Sequence, residues 1–200
     1  MTASLPTAPL PTASVRTARL DLVPLAVAHA EEMAGVLADP ALHTFTGGAP
    51  LPVSRLRARY ERLVAGSPDP ATVWANWVVR LRAEDRLTGT VQATVTGGGR
   101  VAEVAWVIGT DWQGRGIARE AAEGLVGLLR EHGVRTLVAH VHPDHAASAA
   151  VARAAGLTPT DIVEDGEIRW ERRRDAEVVD GDAVSVPGPP GEARGPRTHP

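Results

Sequence analysis

The chain has 200 residues, with 21 arginines and no lysine against 24 acids for a formal charge of −3, and it contains no cysteine. That length fits one domain with loose ends, the near balance of charge argues against a surface that neutralises many phosphates, and the absence of Cys excludes thiol catalysis, disulfides and thiolate metal sites. No apolar run reaches the roughly 18 residues of a membrane span, and the start MTASLPTAPLPTASVR lacks the charge-then-apolar pattern of a signal peptide, so a soluble cytoplasmic protein is expected.

The charge is unevenly placed. Residues 175–200 hold Asp175, Glu177, Asp180, Asp182 and Glu192 against Arg194 and Arg197, which leaves residues 1–174 neutral. Both ends are poor in residues that could be buried: Pro6, Pro9 and Pro11 fall in 1–14, and the tail ends VPGPPGEARGPRTHP. A flexible segment 1–14, a folded domain 15–174 and a disordered acidic tail 175–200 are therefore expected.

The domain opens with a strand, TARLDLVPL, in which Leu20 and Leu22 share a face. A helix follows from about Leu25 to Ala38, stopped by Asp39-Pro40, and a second runs from about Ser54 to Gly66 on a stripe of Leu56, Tyr60, Leu63 and Val64. Arg55, Arg59 and Arg62 are read as its opposite, solvated face. Three strands, 72–81, 86–95 and 100–109, are separated by Ala83-Glu84-Asp85 and Gly97-Gly98-Gly99, turns short enough to imply an antiparallel meander. The period then becomes helical from about Ile117 to His132, with Gly133 as the stop. A strand at 136–143, a helix from about His145 to Ala155 and two last strands around Glu164-Asp165-Gly166 complete the order β-α-α-β-β-β-α-β-α-β-β. The fold class is α/β (α+β), a mixed sheet with helices packed on it.

Chemistry concentrates where the 100–109 strand bends through Gln113-Gly114-Arg115-Gly116 into a helix beginning Ile117-Ala118. The first turn of a helix has N–H groups without partners, aimed along the positive end of the dipole, and two glycines let an anion approach the backbone. Three or four charge-assisted bonds of about 1.5–3 kcal/mol each could dominate the binding of a diphosphate. The motif is neither Walker A nor the dinucleotide fingerprint, whose residue types and spacings differ.

Gln113-Gly114-Arg115-Gly116-Ile117-Ala118 resembles the Gln/Arg-x-x-Gly-x-Gly/Ala pyrophosphate loop of the GNAT N-acetyltransferase superfamily. Thr17-Ala18-Arg19-Leu20-Asp21-Leu22 and Ala102-Glu103-Val104-Ala105-Trp106 are similar to strands of its ribosomal-protein-alanine-acetyltransferase-like (RimJ/RimL-type) branch. His142-Pro143-Asp144-His145-Ala146-Ala147-Ser148 and Ala154-Ala155-Gly156-Leu157 resemble that branch's Pro-x-Asn-x-x-Ser helix start and Gly-Phe exit. The resemblance implies a mostly antiparallel, splayed sheet with helices on both faces. Acetyl-CoA, the implied co-substrate, would enter between the 101–109 and 136–142 strands. The backbone around Trp106, Val107 and Ile108 would pair with the pantetheine arm, while Gln113, Gly114, Arg115, Gly116, Ile117 and Ala118 hold the pyrophosphate. His145, standing where the branch has Asn, is a further cofactor contact by position.

Transfer from a thioester to an amine needs a neutral amine, although free amines titrate at about 7.7–10.4, and a donor for the tetrahedral oxyanion. A backbone N–H near Val107 is the expected donor. The resemblance makes Glu103, on the central strand where several superfamily members carry a glutamate base, the candidate general base, directly or through water, with a strand-end ion pair as the competing reading. Ser148 is the second catalytic candidate, near the leaving sulfur, or else merely a small helix-start residue. Many members of the resembling superfamily use a tyrosine of this helix as general acid, and this sequence has none there; Tyr60 is read as core. His140, His142 and His145 crowd one strand end without further ligands, so no metal is expected.

The resulting expectation is an acetyl-CoA-dependent N-acetyltransferase acting on a primary amine, either a protein N-terminus or a small molecule, as a monomer or homodimer without nucleic-acid or membrane partners. Glu31, Glu32, Glu84 and Glu103 are candidates for an acidic cleft if the acceptor is polycationic. A non-catalytic acyl-CoA-binding sensor or interaction module, and a phosphate-binding module for another nucleotide, are the alternatives. Acceptor specificity is expected in the first two helices and the 39–53 loop, with Phe45 and Gly47-Gly48 as cleft elements.

Overall fold

The computed structural model describes residues 13–45 and 47–173; most of the expected N-terminal segment and the whole acidic tail lie outside the described residues. The elements are β1 (Val15–Arg16), β2 (Leu20–Pro24), α1 (Ala30–Val36), α2 (Val53–Ala65), β3 (Val73–Leu81), β4 (Arg86–Thr96) and β5 (Val101–Ile108), then α3 (Ile117–Glu131), β6 (Thr136–Val141), α4 (Ala146–Ala154), β7 (Thr158–Glu164) and β8 (Glu167–Arg173). One eight-stranded sheet runs β1-β2-β3-β4-β5-β6-β8-β7. Every pairing is antiparallel except β5 with β6. The meander β3-β4-β5 forms as its turns require, with Asp85 and Gly97 to Gly99 at positive φ.

Two elements differ from the sequence expectation. The first strand is two, because the chain turns at Thr17, whose N–H and hydroxyl both bond Leu20, and β1 folds back with Val15 opposite Leu22. The first helix is α-helical only from Ala30 to Val36. It begins with a 3₁₀ turn, Val27–His29, in which the His29 ring accepts from the Ala26 N–H and tightens the backbone.

Helices cover both faces. Trp77, Val79, Val91, Ala93, Ala102 and Val104 alternate toward α3 and α4, where Ile117, Ala121, Leu125 and Leu129 meet them at the helical period. On the other face Val78 and Leu87 meet Met33, Leu56 and Tyr60. Leu125, 1% exposed, stands for the core's energetics: truncation to Ala should cost about 2–5 kcal/mol. No helix among the described residues is long and apolar enough to cross a membrane.

One departure from regularity positions the site. β5 and β6 pair only through Val101–Thr136, Ala102–Leu137 and Glu103–Val138, after which they separate. β5 stays pinned to β4 as far as Ile108, and β6 to β8 as far as Val141. Each strand is committed to its outer neighbour while the sheet twists, so a gap opens between them beyond Glu103.

Candidate functional site

The Gln113–Ala118 segment lies at the end of β5. Gly114 and Gly116 both have positive φ, 71° and 75°, a conformation that costs a Cβ-bearing residue about 1–2 kcal/mol. Gly116 is the N-cap of the 15-residue α3 and supplies no side-chain cap. The helix's first N–H groups therefore have no partner of their own at an exposed loop, which is the electrostatic requirement for an anion cradle. Gln113 looks inward, its side-chain amide donating to the Ile108 carbonyl at 2.9 Å and closing the end of β5. Arg115 pairs with Glu84, and that guanidinium, with the Trp112 indole N–H, holds the Glu84 carboxyl below the usual range. Arg19 donates to the Arg115 carbonyl and to Glu120, tying the loop to the start of β2. Because Arg115 is neutralised by Glu84, backbone dipoles are the main attraction the loop has for a phosphate.

Strand alternation decides which β5 groups face the gap. The Gly109 N–H bonds the Thr88 carbonyl, and the register sets Val107 opposite Thr90 and Ala105 opposite Gln92. The odd-numbered backbone groups thus point at β4, and the even-numbered ones at the gap. The Arg100 carbonyl, which accepts from Arg135 and Thr136 at the foot of β6, obeys the same rule. The gap-facing donors beyond the last β6 pairing are the N–H groups of Trp106 and Ile108. That of Val107, the expected oxyanion donor, is turned toward Thr90.

Around the gap lies a cavity of about 360 Å³, lined by Val104–Val107 on β5, by Ala139, His140 and Val141 on β6 and by His142 just past its end. His145 and Ser148 join it from the start of α4. His145 caps that helix, its Nδ1 accepting from the Ser148 N–H at 3.5 Å, and its ring stacks on Phe45 with centroids 4.3 Å apart. Burial, with the neighbouring His142, pushes its pKa down, which keeps Nδ1 able to accept. Phe45 also meets His142 at 5.2 Å, so the loop after α1 roofs the gap.

Glu103 stands where the gap begins but is not among the residues that line the cavity. Its carboxylate bonds His140 Nδ1 at 3.1 Å, and His140 does line the cavity. Glu164 approaches the other ring nitrogen to 3.1 Å outside hydrogen-bonding geometry, leaving Nε2 buried without a hydrogen bond. Glu103 itself is 57% exposed at the side chain, so water reaches it. The proposed acidic cleft does not assemble. Glu31 pairs with Arg57, Glu32 with Arg86 and the Leu87 N–H, and Glu84 with Arg115, and none of the three lines the cavity. Among the described residues no group of three His, Cys, Asp or Glu is arranged to hold a metal ion.

One residue on α2 takes a different face from the one expected, and a second is core as expected. Arg59, assigned from the sequence to the solvated face, lines the cavity with Leu56, Tyr60 and Leu63, because offsets of three, four and seven from Leu56 fall on one side of a helix. Tyr60 is core, 3% exposed, yet its hydroxyl has no hydrogen-bond partner, and burial pushes its pKa up to about 12. It is a neutral phenol at any physiological pH. The i, i+3, i+4, i+7 spacing was the signal available for both residues.

The family model described as Acetyltransferase (GNAT) domain matches residues 19–158. No curated protein matches the chain. Similar solved structures include a GNAT-family acetyltransferase from Bacillus anthracis, 16% identical with a TM-score of 0.68 over 80% of this chain and 98% of that one. RimL, a ribosomal-protein alpha-N-acetyltransferase solved with coenzyme A, is also 16% identical at a TM-score of 0.68, over 82% of this chain and all of that one, 100%. A chimera of the Vibrio cholerae spermidine N-acetyltransferase SpeG and hSSAT is 17% identical at a TM-score of 0.62, over 78% of this chain and 96% of that one. At such identities these likenesses establish the fold alone.

Proposed function

Because the chain belongs to the GNAT acetyltransferase family, we propose that it binds acetyl-CoA along the free edge of β5 and transfers the acetyl group to a primary amine entering from the α1–α2 side. Membership makes the chain an acetyltransferase; the assignment of residues is our reading. One observation carries it: the β5–β6 gap opens beside a glycine loop whose helix N-terminus lacks a side-chain cap. Gln113, Gly114, Arg115, Gly116, Ile117 and Ala118 cradle the pyrophosphate, and the Trp106 backbone pairs with the pantetheine arm as a neighbouring strand would.

The neutral amine attacks the thioester carbonyl in a ternary complex, forming the C–N bond. The oxyanion takes a hydrogen bond from the gap-facing N–H of Trp106 or Ile108. Collapse breaks the C–S bond, and the thiolate, whose conjugate acid titrates near about 8.5, needs only modest help to take up a proton. Ser148, at the cavity wall, is the proposed donor to that sulfur. The amine proton leaves to Glu103 through water, since Glu103 is solvated beside the cavity and not inside it. His145 offers the co-substrate Nε2 and its ring edge, Nδ1 being used by the helix cap. The setting we assign is the cytoplasm, as a monomer or homodimer.

Thiol release from acetyl-CoA in the presence of an amine panel, with the acetylated amine identified by mass, tests this reading. Release that depends on the amine supports it. Tight CoA binding with no release for any amine points to an acyl-CoA sensor, and equal stabilisation by CoA and ADP to a general phosphate module.

A further inference from the structure

The acceptor half of the cavity has a definite chemical character. Leu25, Leu37, Leu42, Leu56, Leu63 and Phe45 give it an apolar wall. Against that wall are three polar groups that the described residues leave unused. Arg59 lines the cavity and has no ion pair or hydrogen bond, although the other arginine that follows it by three, Arg62, bonds the Ala58 carbonyl. The Tyr60 hydroxyl is buried without a partner on a residue only 3% exposed. His43 Nδ1 lies 3.2 Å from the Gly47 carbonyl, which can only accept, so Nδ1 carries the hydrogen and the buried, unpartnered Nε2 presents a lone pair.

A buried polar atom without a partner costs about 1–3 kcal/mol; the Tyr60 hydroxyl and His43 Nε2 are two such atoms on residues that line one cavity, beside the exposed Arg59, and a ligand that completes them explains the arrangement. The requirements can be read from the groups. A guanidinium and a phenol O–H call for an anionic acceptor such as a carboxylate. The His43 lone pair calls for an N–H or O–H, and the leucines for an aliphatic or aromatic body. Carboxylates are absent from this wall, since Glu31 and Glu32 are paired elsewhere and Glu167 joins the cavity from β8. A polyamine would therefore meet one cation and no anion there.

We infer that the acceptor is a small primary amine bearing a carboxylate and an apolar side chain, an apolar α-amino acid or a close analogue, with Arg59 and Tyr60 holding its carboxylate. The inference rests on the acetyltransferase reading only for what happens to the amine. Ligand preference is measurable without turnover, because Trp77 and Trp106 line the cavity and report binding by their fluorescence.

The test titrates N-acetyl-leucine, N-acetyl-leucinamide and spermidine into the CoA-loaded protein, and in parallel measures thiol release with leucine, leucinamide and spermidine. The acid should bind at least tenfold tighter than the amide, and spermidine more weakly than either. Arg59→Gln should bring acid and amide within about twofold of each other. Tyr60→Phe should weaken the acid about fivefold while leaving the melting temperature unchanged or raised, since it removes a hydroxyl that stabilises no protein partner. Equal binding of acid and amide, a preference for spermidine, or an Arg59→Gln variant that keeps the wild-type ratio would overturn the inference. Selective binding of the acid with no thiol release from any amine would leave the inference standing and remove the catalytic reading instead.

Discussion

The cavity is followed, past the end of β5, by a loop held by Gly114, Gly116 and the start of one helix, which we propose binds with main-chain N–H groups. On the α1–α2 side it ends in side chains from α2, β3, β4 and the loop after α1, with Phe45 reaching across to His142 and His145. The first wall is contiguous in sequence, nearly neutral because Glu84 cancels Arg115, and indifferent to most side-chain identities. The second is assembled from distant segments, and single side chains decide what it accepts. A chain built this way can keep its co-substrate while the acceptor changes by substitution on one wall.

The largest effect should separate the two walls outright. At Gly114 a Cβ would meet nothing within 4 Å, and Asp tolerates positive φ, so Gly114→Asp should fold normally while placing a carboxylate against the pyrophosphate. Acetyl-CoA affinity should fall about a thousandfold, the equivalent of roughly two charge-assisted hydrogen bonds, by calorimetric titration. The melting temperature without ligand should fall by only about 2–6 °C, the cost of a side chain held at positive φ, and N-acetyl-leucine binding in the absence of CoA should be unaltered.

Next comes the proton path between the walls. Glu103→Gln should lower kcat by about a hundredfold at neutral pH and flatten the acid limb of the pH–rate profile, with acetyl-CoA affinity intact. Unchanged turnover would sink the base assignment and leave Glu103 as the hydrogen-bond partner of His140.

A smaller effect concerns how the cradle is anchored. Burial pushes the Glu120 carboxyl up, but bonds from the Thr17 hydroxyl and from the N–H and guanidinium of Arg19 outweigh it, and its pKa lies below the usual value. A carboxyl lowered in the folded state stabilises above its unfolded pKa and loses that contribution as pH falls through the folded one. Melting temperature should therefore decline below about pH 5. Glu120→Gln should lower it by about 5 °C at pH 7 and make the acid slope shallower. An unchanged slope would show that other carboxylates set the acid limit. Smallest of all, Ser148→Ala should reduce kcat about threefold to tenfold with acetyl-CoA affinity within about twofold; a loss confined to affinity would make Ser148 a pantetheine contact.

The same contrast explains what could be read before any coordinates. The bend from β5 into α3 was legible because glycines, a strand end and a helix start lie within a few residues, and the meander because Asp85 and Gly97 to Gly99 make its turns. The helix from Ile117 was legible from a stripe whose period is local. Arg59 is exposed, as a solvated residue should be, yet it stands on the cavity side of α2, because three residues on from Leu56 is the same side of a helix and an apolar stripe alone does not say which charged residue shares its angle. Val107 was named as a donor because a strand's hydrogen-bonding sense depends on its partners' register, which no single segment carries. The separation of Glu31, Glu32 and Glu84 from the cavity depended on Arg57, Arg86 and Arg115, each brought close by the tertiary fold.

The central claim is that acetyl-CoA is held by backbone N–H groups of one loop and one strand edge. Amide hydrogen exchange with and without acetyl-CoA addresses those groups individually. Exchange should slow at Gly114 to Ala118, Trp106 and Ile108, while Val107, already bonded toward β4, changes little. Unchanged exchange across Gly114 to Ala118 at saturating acetyl-CoA would contradict the account.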